Sequence, residues 1–255
     1  MARAAALLSI STARPEQEKR MLEIRDAEIV VFDVLGTLVD EPGGLRAEIR
    51  AVAGPPVAGE PGGPAADELL ALWQAHVEAE QGRMARGERP YADSDAVDRE
   101  AAELVAGRAG VTDPAAVDRL ATATRRLPAW PDSAAGLDRI ARHFPVAGLS
   151  NASAPALLRL AAHAGLRWHQ ALSGAAVRAY KPAPEVYRLA AEAAACPPER
   201  VLMVAAHAWD LRAARENGLR TAYVPRPAGD PPAATDAFDW HFDGLDGLVT
   251  ALTGE

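Results

Sequence analysis

The sequence predicts an α/β protein: a Rossmann-like parallel-sheet core carrying an inserted all-helical cap. Three observations carry that expectation. An apolar, β-branched run, Ile29-Val30-Val31-Phe32, stops at Asp33, the pattern of a strand buried on both faces. Between Asp67 and Arg126 the periodicity is helical, with no convincing strand. Beyond Pro131, strand-like and helix-like segments alternate, which is the sequence form of βαβ crossovers.

In chain order, residues 1–27 read as an extension ahead of the domain, because their apolar run is too brief for a secretory signal and is followed by charges. Pro42-Gly43-Gly44 and the stretch 54–64 read as Pro/Gly-rich breaks. Leu69, Leu70, Leu72, Trp73 and Val77 share one face of a long helix, and Asp113-Pro114 opens another. Residues 42–130 are therefore expected to form a cap of three or four helices, with 28–41 and 131–255 forming the core. Pro145 to Leu149 reads as a strand, Ser153 caps a helix that Gly165 ends, and Ala171 to Ser173 is a short strand. Pro184 opens the next helix, Val201 to Val204 is the clearest strand, a helix runs from Trp209 to near Gly218, and Thr221 to Val224 is a strand. The Pro-rich stretch 225–235 reads as a surface loop.

Charge narrows the partners. The 255 residues carry 27 Lys+Arg against 35 Asp+Glu, a net charge of −8, the wrong sign for binding nucleic acid or an anionic membrane. No stretch has the length of a transmembrane helix, and the lone Cys196 has no partner for a disulfide, so a cytoplasmic protein is expected. Only Lys19 and Lys181 are lysines, leaving 25 arginines, so a lysine beyond the leading segment stands out.

Open α/β sheets bind ligands outside the carboxyl ends of their strands. Asp33 stands at one such end beside Gly36, placed as a nucleophile or metal ligand, or else as a turn residue. Ser150-Asn151 ends the next strand with donors for an anionic group, although a pair of this kind also caps helices. Lys181, in Tyr180-Lys181-Pro182, can reach a neighbouring carboxylate, and Asp210 can fix that ammonium or simply start a helix. Trp209 is placed to line a pocket or to pack in the core. His76, His143, His163, His169 and His241 lack the spacing of a zinc site.

Taken together, Asp33-Val34-Leu35-Gly36-Thr37-Leu38, Leu149-Ser150-Asn151, Lys181-Pro182 and the strand-end Asp210, with helices inserted after the first motif, resemble the haloacid dehalogenase-like hydrolase superfamily from Glu28 onwards. Within it the chain is most similar to the L-2-haloacid dehalogenases, which also have Tyr187 six residues after the lysine and the Ala208-Trp209-Asp210 ending. That resemblance implies SN2 attack by Asp33 on the halogen-bearing carbon of a small 2-haloacid, followed by hydrolysis of the aspartyl ester. In this scheme Lys181 keeps Asp33 ionised, Asp210 orients Lys181, and Ser150 and Asn151 hold the substrate carboxylate or halide. It also implies a cap arginine near the halide, Arg83 by count with Met84 and Arg86 as rivals, and a homodimer.

Leu35 separates the family's chemistries. Its phosphatases carry an acid two residues after the nucleophile to protonate an alkoxide leaving group, whereas halide leaves unprotonated, so an apolar residue there fits dehalogenation. Ala206 stands where the phosphatases have a magnesium-binding Asp, so no metal and no other cofactor are expected. The alternatives are a magnesium-dependent phosphatase and a catalytically weak binding protein. Two departures bear on the last: the dehalogenases have Tyr at position 35, and Ser and Asn where Ala205 and His207 stand, to position the hydrolytic water. His207 is then either the base for that water or a structural histidine.

Overall fold

A computed structural model of the chain describes residues 23–54 and 64–254. Six parallel strands form one sheet in the order β3-β2-β1-β4-β5-β6, with β1 Ile29–Asp33, β2 Val146–Ser150, β3 Gln170–Ser173, β4 Val201–Ala205, β5 Arg220–Tyr223 and β6 Trp240–His241. The continuous apolar character of β1 has a direct cause, because helices cover both faces of the sheet. Val30 and Phe32 pack with Leu202 and Val204 against α5 Ser133–Ile140, α6 Ala154–Ala164 and α9 Leu245–Thr253. Ile29 and Val31 pack with Ala147 and Met203 against α7 Pro184–Ala194 and α8 Ala208–Glu216.

After β1 the chain builds β2 and β3 on one side and then returns to place β4 on the other. This leaves a crevice at the carboxyl end of β1, where such sheets bind ligands. The register fixes what lines it: Asp33 lies opposite Leu149 and Phe32 opposite Val204, so Asp33, Ser150 and the residues after Ala205 emerge together.

Above this edge lies a helical layer of α1 Glu41–Ala53, α2 Ala66–Ala85, α3 Ser94–Arg108 and α4 Pro114–Ala121. The chain enters and leaves it side by side, with Val39 bridged to Ala129 and Asp40 N–H bonded to the Pro128 carbonyl at 2.8 Å. Leu45, Ile49, Leu69, Trp73, Ala102 and Leu120 continue the core of the first sheet face into the cap.

Several boundaries differ from the sequence reading. Pro42-Gly43-Gly44 is not a break but the first turn of α1, where proline lacks only an N–H the helix does not need and the Asp40 carboxylate accepts the Gly43 N–H at 3.0 Å. Gly44 is required for packing, since a Cβ there would stand 2.7 Å from Leu127 Cδ2. The expected extension ends too late: Ile24–Asp26 form a 3₁₀ turn, Ile24 is buried, and Arg25 Nε donates to the Ala251 carbonyl at 3.0 Å. Residues 1–22 of that extension, and 55–63 of the second expected break, lie outside the described residues. The loop read as surface, 225–235, contributes Arg226 to the interior, where Nε donates to the Thr37 carbonyl at 2.9 Å and Nη1 to Asp132 Oδ2 at 2.9 Å. Strand β6 and helix α9 carry too little local signal to be read from sequence. Among the described residues no helix is long and apolar enough to cross a membrane.

Candidate active site

Asp33 ends β1 with both carboxylate oxygens already bonded. Lys181 Nζ donates to Oδ1 at 3.0 Å, and Thr37 Oγ1 donates to Oδ2 at 2.7 Å. Thr37 is held in turn by the Ala206 N–H, which donates to its hydroxyl oxygen at 2.9 Å and so points the hydroxyl hydrogen at Asp33. The turn after β1 thereby grips its own carboxylate while leaving Asp33 at the crevice.

Lys181 also donates to Asp210 Oδ2 at 2.7 Å, and Tyr187 donates to the remaining Asp210 oxygen, Oδ1, at 2.6 Å. The ammonium is 1% exposed and the Asp210 side chain 0%, so all the partners these charges have are protein groups. Burial alone would lower the Lys181 pKa, but Asp210 and Asp33 outweigh it and hold it above its ordinary value. Burial pushes the Asp210 carboxyl up, and the ammonium resists that shift. The Tyr187 hydroxyl is pushed far up by burial and by Asp210, which keeps it a donor.

Ser150 and Asn151 flank this cluster. The Asn151 side-chain oxygen accepts the Lys181 N–H at 2.7 Å and so fixes the lysine's loop, while Ser150 Oγ accepts the Ala152 N–H at 3.1 Å. Each retains side-chain hydrogens to donate. Leu35 is half-buried two residues past the nucleophile, and its carbonyl lies 3.3 Å from His207 Nε2. The same nitrogen is 4.0 Å from Asp33 Oδ2, and the imidazole stacks on Trp209 with centroids 6.0 Å apart. Trp209 is 38% exposed, so it stands at the rim of the site rather than in the core.

Three sequence expectations change here. Tyr187, grouped with the substrate-binding candidates, is fully buried behind Asp210 and serves that carboxylate instead. Arg83 does not join the cluster, because its guanidinium is spent on Glu80 one turn earlier at 3.0 Å and the side chain is half-exposed. Arg86 is likewise paired with Glu88 at 2.7 Å, and Arg89 is held by Glu80 and Glu100. Finally, of the two roles open to His207, base for the water or structural histidine, the geometry sets Nε2 beside two acceptors, the Leu35 carbonyl and Asp33 Oδ2, an arrangement that suits the tautomer with its hydrogen on Nε2.

Two acids, the buried Asp98 and the half-buried Glu41, carry no distinguishing signal in the sequence. Asp98 on α3 accepts the Thr124 hydroxyl at 2.9 Å, and its pKa is raised to about 7 by burial, against the pull of that hydrogen bond. Glu41, at the start of α1, is likewise raised to about 7, by burial and by the charges of Asp98 and Asp33. Nothing in their local sequence distinguishes them from the solvent-facing acids of amphipathic helices.

Among the described residues, no three His, Cys, Asp or Glu side chains group so as to hold a metal ion. The oxygens of Asp33 and Asp210 already have Lys181, Thr37 and Tyr187 as donors.

Comparison with known proteins gives a consistent family. A family model described as haloacid dehalogenase-like hydrolase matches residues 27–218. The (S)-2-haloacid dehalogenase H-109 of Pseudomonas putida is 33% identical over 99 residues, 38% of this chain and 44% of that protein, so the aligned region spans less than half of that relative. The crystal structure of the L-2-haloacid dehalogenase PA0810 superposes with a TM-score of 0.80 at 32% identity, covering 90% of this chain and all (100%) of that one. The L-2-haloacid dehalogenase of Xanthobacter autotrophicus, solved with chloropropionic acid covalently bound, superposes with a TM-score of 0.73 at 27% identity, covering 89% of this chain and 99% of that one.

Proposed function

We propose that this chain, which belongs to the haloacid dehalogenase-like hydrolase family, displaces halide from small (S)-2-haloacids through an ester on Asp33, without a metal. The observation that carries the proposal is the pairing of a fixed, ion-paired carboxylate with an apolar neighbour: Asp33 is held by Lys181 and Thr37 while Leu35 stands two residues on. A carboxylate oriented in this way can attack a carbon in line with its leaving group. Leucine has no proton to deliver, which suits a leaving group that departs as a stable anion and does not suit an alkoxide.

The chain's own residues divide the work. Lys181 holds Asp33 in place through its contact with Oδ1, and Asp210 with Tyr187 anchors the ammonium so that it cannot swing away. Ser150 and the Asn151 amide, with hydrogens left to donate, hold the substrate carboxylate or the departing halide, and Arg83, paired with Glu80, is not assigned to the halide. Attack on the halogen-bearing carbon releases halide and leaves an ester on Asp33, and water then cleaves that ester to give the 2-hydroxyacid. The covalently bound chloropropionic acid in the Xanthobacter autotrophicus relative supports such an intermediate. Metal independence rests on the donors that already occupy Asp33 and Asp210, and on Ala206 in place of a third carboxylate. A cytoplasmic homodimer completes the proposal, as the family likeness implies.

The test uses (S)-2-chloropropionate with chelator present and, separately, a phosphate monoester with Mg²⁺, measuring chloride and phosphate. Chloride release without metal, abolished by Asp33→Asn, is the expected result. Phosphate release alone would replace the proposal with a phosphatase, and silence in both assays with retained ligand binding would replace it with a binding protein.

A further inference from the structure

The chain leaves a seat for one imidazole. Gly36 adopts φ +80°, and a Cβ built on it would stand 2.4 Å from His207 Nε2, so the glycine both makes the turn and leaves room for the ring. Trp209 covers the ring from the rim, with an interplanar angle of 29°. His207 itself is the residue preceding α8, and its backbone is bridged to Asp230. Ring position and orientation are thus fixed from three sides, with Nε2 directed at the turn that carries the nucleophile. The two atoms it meets, the Leu35 carbonyl at 3.3 Å and Asp33 Oδ2 at 4.0 Å, can only accept, so Nε2 bears a hydrogen.

We infer that His207 is a catalytic residue of the second half-reaction, donating its Nε2 hydrogen to Asp33 Oδ2 when water attacks the ester. This deepens the dehalogenase reading above and rests on it. In that step Oδ1 is the oxygen bonded to the substrate carbon and Oδ2 is the acyl oxygen. A water oxygen bonds to Asp33 Cγ, and the carbonyl π electrons move onto Oδ2. The resulting negative charge falls between the Thr37 hydroxyl, 2.7 Å from Oδ2 in the free protein, and the Nε2 hydrogen, which turns from the Leu35 carbonyl at 3.3 Å towards Oδ2 as the carbon becomes tetrahedral and the 4.0 Å between Nε2 and Oδ2 closes. Collapse breaks the Cγ–Oδ1 bond. One water proton goes to the departing 2-hydroxy oxygen and the other to solvent, and the water oxygen stays in the regenerated carboxylate. Two donors on Oδ2 form an oxyanion hole made of side chains, and the imidazole takes no proton at any stage.

The experiment separates donor from base, because glutamine can donate an N–H but cannot accept a proton as a base. Wild type, His207→Ala and His207→Gln are mixed with (S)-2-chloropropionate, chloride is followed from the first turnover, and the ester on Asp33 is quantified by mass spectrometry after acid quench. His207→Ala is expected to release a burst of about one chloride per chain and to accumulate the ester, with hydrolysis slowed roughly 100-fold, the usual loss for one oxyanion donor. That burst also proves the variant folded. His207→Gln is expected to recover ester hydrolysis to within about tenfold of wild type. Equal failure of His207→Gln and His207→Ala would overturn the donor role in favour of a base, and unchanged hydrolysis in His207→Ala would overturn any role in this step. If wild type releases no chloride and forms no ester, the dehalogenase reading itself fails, and the His207 assignment goes with it.

Discussion

Asp98→Asn isolates the cost of a buried charge in the helical layer. Asp98 is 9% exposed, its hydrogen-bond donor among the described residues is the neutral Thr124 hydroxyl at 2.9 Å, and burial lifts its pKa from 3.8 to about 7. Asparagine keeps the shape and can still accept from Thr124, so the substitution removes little besides the titration. The folded state holds the proton more tightly than the unfolded chain does, so between about pH 4 and pH 7 the unfolded state alone is ionised. Raising the pH across that window therefore strips stability from the wild type, by ~1.4 kcal/mol per unit, and the loss levels off above pH 7. Over roughly three units this comes to about 4 kcal/mol, so Asp98→Asn should match the wild type within about 1 kcal/mol near pH 4 and exceed its stability by several kcal/mol at pH 9. Glu41, pushed to about 7 in part by Asp98, moves down in the variant and adds to the gain. Urea unfolding followed by tryptophan fluorescence at pH 4, 7 and 9 measures the difference. A gap between variant and wild type that does not widen with pH would refute the assignment of a buried, proton-holding carboxyl.

Lys181→Met leaves Asp33 and Asp210 uncompensated in the interior, and is expected to cost about 3–5 kcal/mol in urea unfolding and to abolish chloride release. Tyr187→Phe removes the donor to Asp210 Oδ1 and should cost about 2 kcal/mol, lowering kcat while leaving KM for 2-chloropropionate unchanged, because the ring lies behind the site. A fall in affinity would instead place Tyr187 in the substrate pocket. Gly36→Ala sets a Cβ 2.4 Å from His207 Nε2 at φ +80° and should lose about 1–2 kcal/mol of stability together with ester hydrolysis, read as ester accumulating on Asp33. Normal turnover in that variant would mean that the glycine does not seat the imidazole.

Much of the core was legible because one physical rule wrote both pattern and position. A strand buried on both faces must be apolar throughout, so Ile29 to Phe32 announced β1, and the polar residue that ended it, Asp33, stood at the ligand edge. Ser153 and Gly165 marked the ends of α6 for equally local reasons, a side chain that accepts the Ala156 N–H and a residue at φ 68°. What stayed hidden depends on contacts between segments distant in the chain. Pro42-Gly43-Gly44 spells a break by composition and forms a helix turn because Asp40 caps it and Leu127 closes over Gly44. Arg226 looks like loop charge until the fold brings it to the Thr37 carbonyl. Arg83 suited a role in the cleft by count, and Glu80, three residues before it, claimed it first.

The scarcity of lysine acquires a physical meaning in the same terms. In a chain whose cations drifted to arginine, Lys181 survives between two carboxylates, with Nζ 3.0 Å from one and 2.7 Å from the other at 1% exposure. A guanidinium is planar and broad, and its five hydrogens would need five acceptors, whereas the oxygens within reach are one from Asp33 and one from Asp210. An arginine there would push its two partners apart or bury unmatched donors, and Asp33 would lose the position from which it attacks. Lys181→Arg should therefore preserve the charge and still fail to release chloride. The substitution that looks mildest by composition separates a requirement for positive charge from a requirement for a compact ammonium, and activity in Lys181→Arg would show that charge alone suffices.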